Sequence, residues 1–211
     1  MKTKLTWIVF LIDRSGSMNA IKKDMIGGFN SFIKTQQKNT GECRIFAYKF
    51  DTKYEILFEN VDIQCSPELT EENYIPRGGT ALYDSMGKLI TEFGEKLASL
   101  TENERPEKVL FVTITDGQDN ARLEAGRHFT SDEVKEMVTH QTNVYKWNFA
   151  YIGANQDAWA VGCSMGYIKG STLNYTADSL DTARAFKDLD VSTSYWRTGS
   201  HTTSFCFVTN S

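Results

Sequence analysis

The sequence predicts an α/β fold: a doubly wound, mostly parallel Rossmann-like sheet with one antiparallel edge strand and helices on both faces. Residues 5–12 and 108–115 are largely apolar or β-branched, which is typical of strands covered on both faces. Helical patterns alternate with such strands, as expected for parallel crossover connections. Two strand-like runs, residues 44–50 and 54–58, are separated only by a short polar turn, which favours a hairpin and hence the antiparallel strand.

The first half of the chain supplies the central strand, a helix, the hairpin and a second helix. Residues 5–12 form the central strand. The helix after it is predicted by apolar residues that recur every three or four positions, namely Ile21, Met25, Phe29 and Phe32. The hairpin is followed by the loop of residues 77–80, which leads into a second apolar stripe made of Leu82, Met86, Leu89, Phe93 and Leu97.

The second half continues the alternation of strands and helices. Residues 108–115 and 147–152 are predicted strands, and between them Ser131 or Asp132 can cap a helix. A short helix at 158–163, an edge strand near 171–175 and a helix through Leu189 follow. We expect one domain over residues 1–211, with its core at about 5–189 and no structure predicted for 190–211. Three tryptophans are expected in the core: Trp7, Trp147 and Trp159.

Composition restricts the possible partners and the cellular location. The net charge of −4 argues against broad contact with nucleic-acid phosphates or an anionic membrane. No uninterrupted apolar run reaches the roughly 18–20 residues needed for membrane insertion. The cysteines are far apart and form no CxxC pair, which favours free thiols in a reducing cytosol, so a cytoplasmic location is expected. They are Cys43, Cys65, Cys163 and Cys206. The oligomeric state is not predicted.

Polar residues stand where three predicted elements meet the carboxyl edge of the sheet. Asp13, Ser15 and Ser17 come directly after the first strand, and Asp116 comes directly after the strand at 108–115. Thr80 follows a double glycine just before the second helix. Ligands of open α/β sheets bind at this edge. We therefore expect the five side-chain oxygens to surround one point.

This set of donors predicts a site for one hard divalent cation. Carboxylate and hydroxyl oxygens suit Mg²⁺, Mn²⁺ or Ca²⁺, whereas the lack of a nearby His or Cys argues against zinc, copper or iron. Mg²⁺ is the first choice because it takes about six ligands and commonly retains water. A site with few anionic protein ligands leaves one coordination position for an incoming carboxylate.

The motifs DRSGS at residues 13–17, GGT ending at Thr80 and TDG containing Asp116 resemble the metal-ion-dependent adhesion site of the von Willebrand factor A domain family. The resemblance covers roughly residues 5–189 and includes the order of the elements. We expect the chain to be a free-standing member of this family without a signal or membrane anchor. This organisation suggests an intracellular bacterial or phage adaptor.

The resemblance implies a Rossmann-like domain and a role for each matching residue. Ser15, Ser17 and Thr80 would ligate the metal directly, while Asp13 and Asp116 would act directly or through water. The sixth position would take an Asp or Glu of a partner protein. Family members couple this position to movement of the last helix, but no recognisable switch follows Asp178, so such coupling stays open.

Other interpretations of the same residues exist. Asp13, Ser15 and Thr80 could each be an ordinary turn or cap residue, and Asp84 and Asp119 are interpreted in that way. The histidines, which lie among polar residues, are expected at the surface: His128, His140 and His201. A small exposed rim is expected to set partner specificity, consisting of Met18, Arg77, Gly78, Tyr83 and Gln118.

The alternative class of function is a metal-dependent hydrolase acting on phosphoesters. Ser15 stands where an aspartate-nucleophile phosphatase would need a second acidic group, and no base lies beside Ser15 or Ser17 in the sequence. Neither GxSxG nor GxxxxGK[ST] occurs. The preferred hypothesis is therefore metal-dependent protein binding without enzymatic activity.

Overall fold

A computed structural model of the protein describes residues 2–154, 157–199 and 204–208. Within these residues the chain forms one six-stranded sheet, with the strands in the order β3-β2-β1-β4-β5-β6. The strands are β1 (Lys2–Asp13), β2 (Cys43–Phe50), β3 (Tyr54–Asp62), β4 (Pro106–Thr115), β5 (Asn148–Ala154) and β6 (Thr172–Tyr175). The helices are α1 (Lys22–Gln36), α2 (Leu82–Ser99), α3 (Ser131–Tyr145), α4 (Ala158–Ser164) and α5 (Ser179–Thr198).

Strand β1 is the central strand of a mostly parallel sheet. It pairs in parallel with β2 on one side and with β4 on the other, and β5 and β6 continue the parallel arrangement. The hairpin partner β3 runs antiparallel to β2 at the edge of the sheet. The predicted fold class and the predicted antiparallel edge strand are confirmed.

The side chains of β1 alternate between the two faces of the sheet, because successive residues of a strand point to opposite sides. Phe10 packs on one face, in the core with Phe29 of α1 and Leu189 of α5. Trp7 packs on the other face, in the core with Phe93 of α2 and Val138 of α3. Both faces are thus covered by helices, which explains why the central strands are apolar without a polar alternation.

Two local predictions about helices are wrong. Trp159 is 42% exposed, because the seven-residue helix α4 buries Ala158 and Gly162 on one face and turns its tryptophan outward. Neither Ser131 nor Asp132 caps α3. The cap is Thr130, which forms a capping box with Glu133. The other tryptophans expected in the core are buried, and all four cysteines are free thiols, as predicted.

The end of the chain continues the core beyond residue 189. Trp196 of α5 is buried, and so is Phe205, which lies in the same core. The amide of Phe207 donates to the carbonyl oxygen of Gly170 over 2.7 Å, so this segment is fastened beside β6. The single-domain organisation stays a prediction. Among the described helices, none combines the length and the apolar character that crossing a membrane requires.

Candidate metal centre

The predicted site residues lie at the carboxyl edge of the sheet. Asp13 is the last residue of β1, and Asp116 directly follows the last residue of β4, the neighbouring parallel strand. Parallel neighbours end at the same edge, so the chain leaves both strands close to one point. Thr80 lies on the loop before α2, two residues ahead of the helix.

Four of the five residues form one continuous chain of hydrogen bonds. Asp13 Oδ1 accepts from the backbone amide of Ser15 over 2.6 Å. The hydroxyl oxygens of Ser15 and Ser17 are 3.1 Å apart, and Ser17 Oγ donates to Asp116 Oδ1 over 2.7 Å. The structure therefore brings the DRSGS loop and the residue after β4 together, as the sequence predicts.

Thr80 joins this group through backbone contacts of its loop. The amide of Gly16 donates to the carbonyl oxygen of Gly78 over 3.0 Å, and the amide of Arg77 donates to the carbonyl oxygen of Arg14 over 2.7 Å. A β-carbon placed on Gly117 would stand 3.4 Å from Thr80 Oγ1, so the Thr80 hydroxyl lies against the turn after β4. All five predicted side chains thus belong to one cluster of three loops.

Burial affects both carboxylates of the cluster, because Asp13 is buried and Asp116 is partly buried. Asp13 is fully buried, and burial raises its pKa to about 7, with a smaller contribution from the Asp116 carboxylate. Burial also raises the pKa of Asp116 above its ordinary value. In the described part of the chain, no basic side chain forms an ion pair with either group. A buried anion without a compensating charge is unfavourable, so either a proton or a nearby positive charge would stabilise these acids.

The basic residues next to the cluster are directed to other acids. Arg14, almost completely buried, pairs with Asp51 at 3.2 Å and with Glu55 at 2.7 Å. Arg77 pairs with the same two acids, at 2.8 Å and 3.0 Å. The hydrogen bond from Arg14 lowers the pKa of Glu55. Through these shared acids, the ion pairs connect the loop after β1 to the loop before α2. They provide no positive charge to Asp13 and Asp116.

Three residues of the site were not found by sequence reasoning. Thr115 Oγ1 donates to Asp13 Oδ2 over 2.6 Å, and the Tyr74 hydroxyl donates to the Asp13 carbonyl oxygen over 2.6 Å. The buried Tyr175 hydroxyl has no hydrogen-bond partner among the described residues. Burial raises the pKa of Tyr175, and the carboxylates of Asp116 and Asp13 raise it further. A polar residue directly before Asp116 in a buried strand could have indicated Thr115, whereas nothing local indicates Tyr74 or Tyr175.

The expected specificity rim is only partly exposed. Met18 is fully buried, so its assignment to the rim is wrong: the short 3₁₀ helix Gly16–Ile21 turns this side chain into the core that α1 covers. Arg77, Gly78 and Gln118 are exposed, and Tyr83 is partly buried.

Asp84 is neither a turn residue nor a cap of its own helix. It is buried within α2 and accepts from the amides of Leu123 at 3.0 Å and Phe129 at 2.7 Å. It therefore anchors the long loop between β4 and α3. Asp119 does act as a cap, because its Oδ1 accepts from the amide of Tyr83 in the first turn of α2 at 3.0 Å.

Neither His128 nor His140 lies in the cluster. The exposed ring of His128 contacts Asp84 through Nδ1, and His140 is exposed on α3. His201 lies outside the described residues. Over residues 2–154, 157–199 and 204–208, no three His, Cys, Asp or Glu side chains gather into a group that could hold a metal ion. The donors of the cluster are accordingly two carboxylates supplemented by three hydroxyls.

Fold and site together define a Rossmann-like α/β domain with an oxygen-lined cluster at the carboxyl edge of its sheet. Neither a protein-family model nor a curated protein matches the sequence. Solved structures do match, among them a von Willebrand factor type A protein from Catenulispora acidiphila. The TM-score is 0.59 at 13% identity, covering 90% of this chain and 42% of that one.

Two further matches are metal-bound structures. The proximal thread matrix protein 1 from the mussel byssus, with a zinc-occupied MIDAS motif, gives a TM-score of 0.58 at 15% identity over 88% of this chain and 44% of that one. The manganese-loaded TRAP protein of Plasmodium vivax gives 0.58 at 14% identity over 90% and 75%. The chain spans less than half the length of the Catenulispora acidiphila protein. The fold is that of the von Willebrand factor A domain.

Proposed function

We propose that this chain is a metal-dependent protein-interaction domain. Its cation site would consist of Asp13, Ser15, Ser17, Thr80 and Asp116. The observation that carries the proposal is the hydrogen-bond chain from Asp13 through both serines to Asp116, with the Thr80 hydroxyl beside the same turn. These contacts bring hydroxyl and carboxylate oxygens from the loops after β1 and β4 within hydrogen-bonding distance of one another, which supports a shared site.

The chemistry of the donors fits a hard divalent cation. Carboxylate and hydroxyl oxygens favour Mg²⁺, with Mn²⁺ or Ca²⁺ as alternatives. Burial raises the pKa of both Asp13 and Asp116, and a bound cation would compensate the charge that burial disfavours. Two structurally similar proteins hold zinc and manganese, which supports a divalent ion in this chain.

The exposed side of the cluster would receive the partner. Ser17 is the exposed member of the proposed ligand set, whereas Asp13, Ser15 and Thr80 are buried. When bound, the cation supplies an open coordination position that attracts an Asp or Glu carboxylate of another protein. Arg77, Gly78 and Gln118 are exposed on the loops that carry the proposed ligands and would contact residues around the partner's acid.

Metal binding is tested by thermal unfolding with magnesium or with a chelator. At magnesium concentrations about 100 times the dissociation constant, binding adds about 2.7 kcal/mol to the free energy of unfolding. For a domain of this size we expect a rise in Tm of about 5–10 °C. Asp13→Asn should abolish the rise, whereas Glu95→Gln, an exposed position on α2, should keep it. An equal rise in wild type and Asp13→Asn would reject the proposed site.

Partner binding is tested by capture on the immobilised protein. A true partner should be retained by the immobilised wild type in magnesium and released by a chelator. The immobilised Thr80→Ala variant should not retain it. Replacement of one Asp or Glu in the captured partner should then abolish retention. A partner held equally well in chelator would contradict binding through the metal.

Turnover assays separate this proposal from the hydrolase alternative. The metal-loaded protein is expected to leave a panel of generic phosphoesters intact. Turnover that disappears in Ser15→Ala would instead support an enzyme.

A further inference from the structure

Thr80 differs from the other proposed ligands because it does not lie within a few residues of a strand end. It lies on the loop between β3 and α2, outside the hydrogen-bonded ladder of the sheet. Its backbone is held by the loop that follows β4. The amide of Thr80 donates to Asn120 Oδ1 over 2.8 Å, and its carbonyl oxygen accepts from the amides of Asn120 at 3.0 Å and Ala121 at 3.2 Å. Both backbone polar groups of Thr80 therefore belong to one interaction with Asn120 and its neighbour.

The residue before Thr80 allows the two loops to come this close. A β-carbon on Gly79 would stand 2.9 Å from Asn120 Oδ1 and 2.9 Å from Ala121 Cβ, closer than real β-carbons approach other atoms. A side chain at Gly79 would therefore clash with the side chains of Asn120 and Ala121, and glycine avoids this clash. Gly79 therefore makes room for the contact of Thr80 with Asn120.

We propose that Asn120 is a positioning residue of the metal centre. By holding the backbone of Thr80, Asn120 fixes the Thr80 hydroxyl relative to Asp116, which lies four residues earlier on the same loop. The loop before α2, which carries Thr80, and the loop after β4, which carries Asp116, then act as one unit. This inference rests on the proposed function, because it assigns Asn120 a role in the affinity of that same site.

The neighbouring residue strengthens the connection between the two loops. Asp119 accepts from the amide of Tyr83, so consecutive side chains of this loop hold Thr80 and the first turn of α2. A hydrogen-bonded outer group typically changes metal affinity by about 10–100-fold when it is removed. We expect an effect at the lower end, because other contacts also hold the loop.

The test is a double-mutant cycle on Mn²⁺ affinity, measured by calorimetric titration well below the unfolding temperature. Asn120→Ala should weaken binding about 10-fold in the wild-type background. In the Thr80→Ala background the same change should have no further effect, since the hydroxyl that Asn120 positions is already gone. Asn120→Asp keeps an oxygen acceptor for the Thr80 amide and should recover affinity relative to Asn120→Ala.

The matched control is Glu124→Gln, at an exposed position on the same loop. The Glu124 carboxylate contacts the Thr52 hydroxyl and Lys53 rather than Thr80. This variant changes the loop without touching the backbone of Thr80, so it should bind Mn²⁺ like the wild type.

Two results would overturn the inference while leaving the proposed function intact. One is an Asn120→Ala variant that is folded by circular dichroism and binds Mn²⁺ as tightly as the wild type. The other is an equal loss of affinity in the wild-type and Thr80→Ala backgrounds, which would mean that Asn120 acts on general stability. A wild type that binds no Mn²⁺ would overturn the proposed function and this inference with it.

Discussion

Thr115 donates a hydrogen bond to Asp13 across the two central strands, with 2.6 Å between Thr115 Oγ1 and Asp13 Oδ2. Together with the Ser15 amide on Oδ1, this bond fixes the orientation of the buried carboxylate. A carboxylate held in this way presents its remaining lone pairs in one direction, as outer groups of metal sites generally ensure.

Thr115→Val should weaken Mn²⁺ affinity about 10-fold, because valine keeps the volume but removes the donor to Asp13. Calorimetric titration measures the loss. Thr113→Val is the control on the same strand, since the Thr113 hydroxyl contacts Tyr167 and Met86 rather than the cluster. Equal affinities for Thr115→Val and wild type would show that orientation of Asp13 is unimportant.

The stability of the metal-free protein should fall as pH rises from 6 to 8. The pKa of Asp13 is about 7 in the fold against an ordinary 3.8, so between these values the folded state holds more protons than the unfolded chain. Stability from this group is therefore complete below about pH 3.8 and is lost as pH rises through 7. The loss between pH 6 and 8 amounts to roughly 1 kcal/mol.

Urea unfolding in chelator at several pH values measures this slope. Asp13→Asn should flatten it, because asparagine does not titrate. Magnesium should stabilise the wild type more at pH 8 than at pH 6, since the cation competes with the proton for Asp13. An identical slope in wild type and Asp13→Asn would refute the assignment of the titration to Asp13.

Adjacent glycines of α1 should respond in opposite ways to alanine. A β-carbon on Gly28 would fall 2.1 Å from the ring of Phe186 of α5, so Gly28→Ala should force the helices apart and destabilise the fold by about 1–3 kcal/mol. Gly27 has open space around its α-carbon, and Gly27→Ala should stabilise the helix by up to about 1 kcal/mol. Chemical denaturation compares the two variants. A stable Gly28→Ala protein would contradict the close packing of α1 on α5.

Lys108 should stabilise α5 by binding carbonyl oxygens at the C-terminal end of this helix. This nearly buried lysine of β4 donates from Nζ to the carbonyl oxygens of Trp196 at 2.6 Å and Gly199 at 2.8 Å, where α5 ends. Such carbonyls lack partners within the helix, and a cation there also favours the helix dipole. Lys108→Met should lower the free energy of unfolding by about 1–3 kcal/mol. Lys34→Met, at an exposed position on α1, should have little effect. Comparable unfolding midpoints for the two variants would exclude the capping role.

The order of the elements was predictable because the sheet is covered on both faces. Strands β1 and β4 each contain a long apolar run, and amphipathic helices α1 and α2 carry clear stripes of apolar residues. Trp159 was misplaced because a seven-residue helix has too few turns to define its buried face from sequence. Met18 was misplaced because the chain forms a 3₁₀ turn where a loop was expected.

The proposed ligands were predictable, whereas the residues that hold them were not. Asp13 and Asp116 follow strands directly, so their positions derive from local patterns. The contact of Thr80 with Asn120 joins residues that are 40 positions apart, and that of Tyr74 with Asp13 joins residues 61 apart. No periodicity in the sequence reports such pairs, because they depend on how the loops meet after folding.

The contacts of Gly16 with Gly78 and of Asn120 with Thr80 have a kinetic consequence for ion entry. Because these hydrogen bonds form without an ion, the proposed cation site would be formed on folding, and little chain rearrangement would accompany ion binding. The slow step then becomes the release of hydration water from the ion itself. Magnesium, which dehydrates reluctantly, should therefore enter this centre more slowly than calcium.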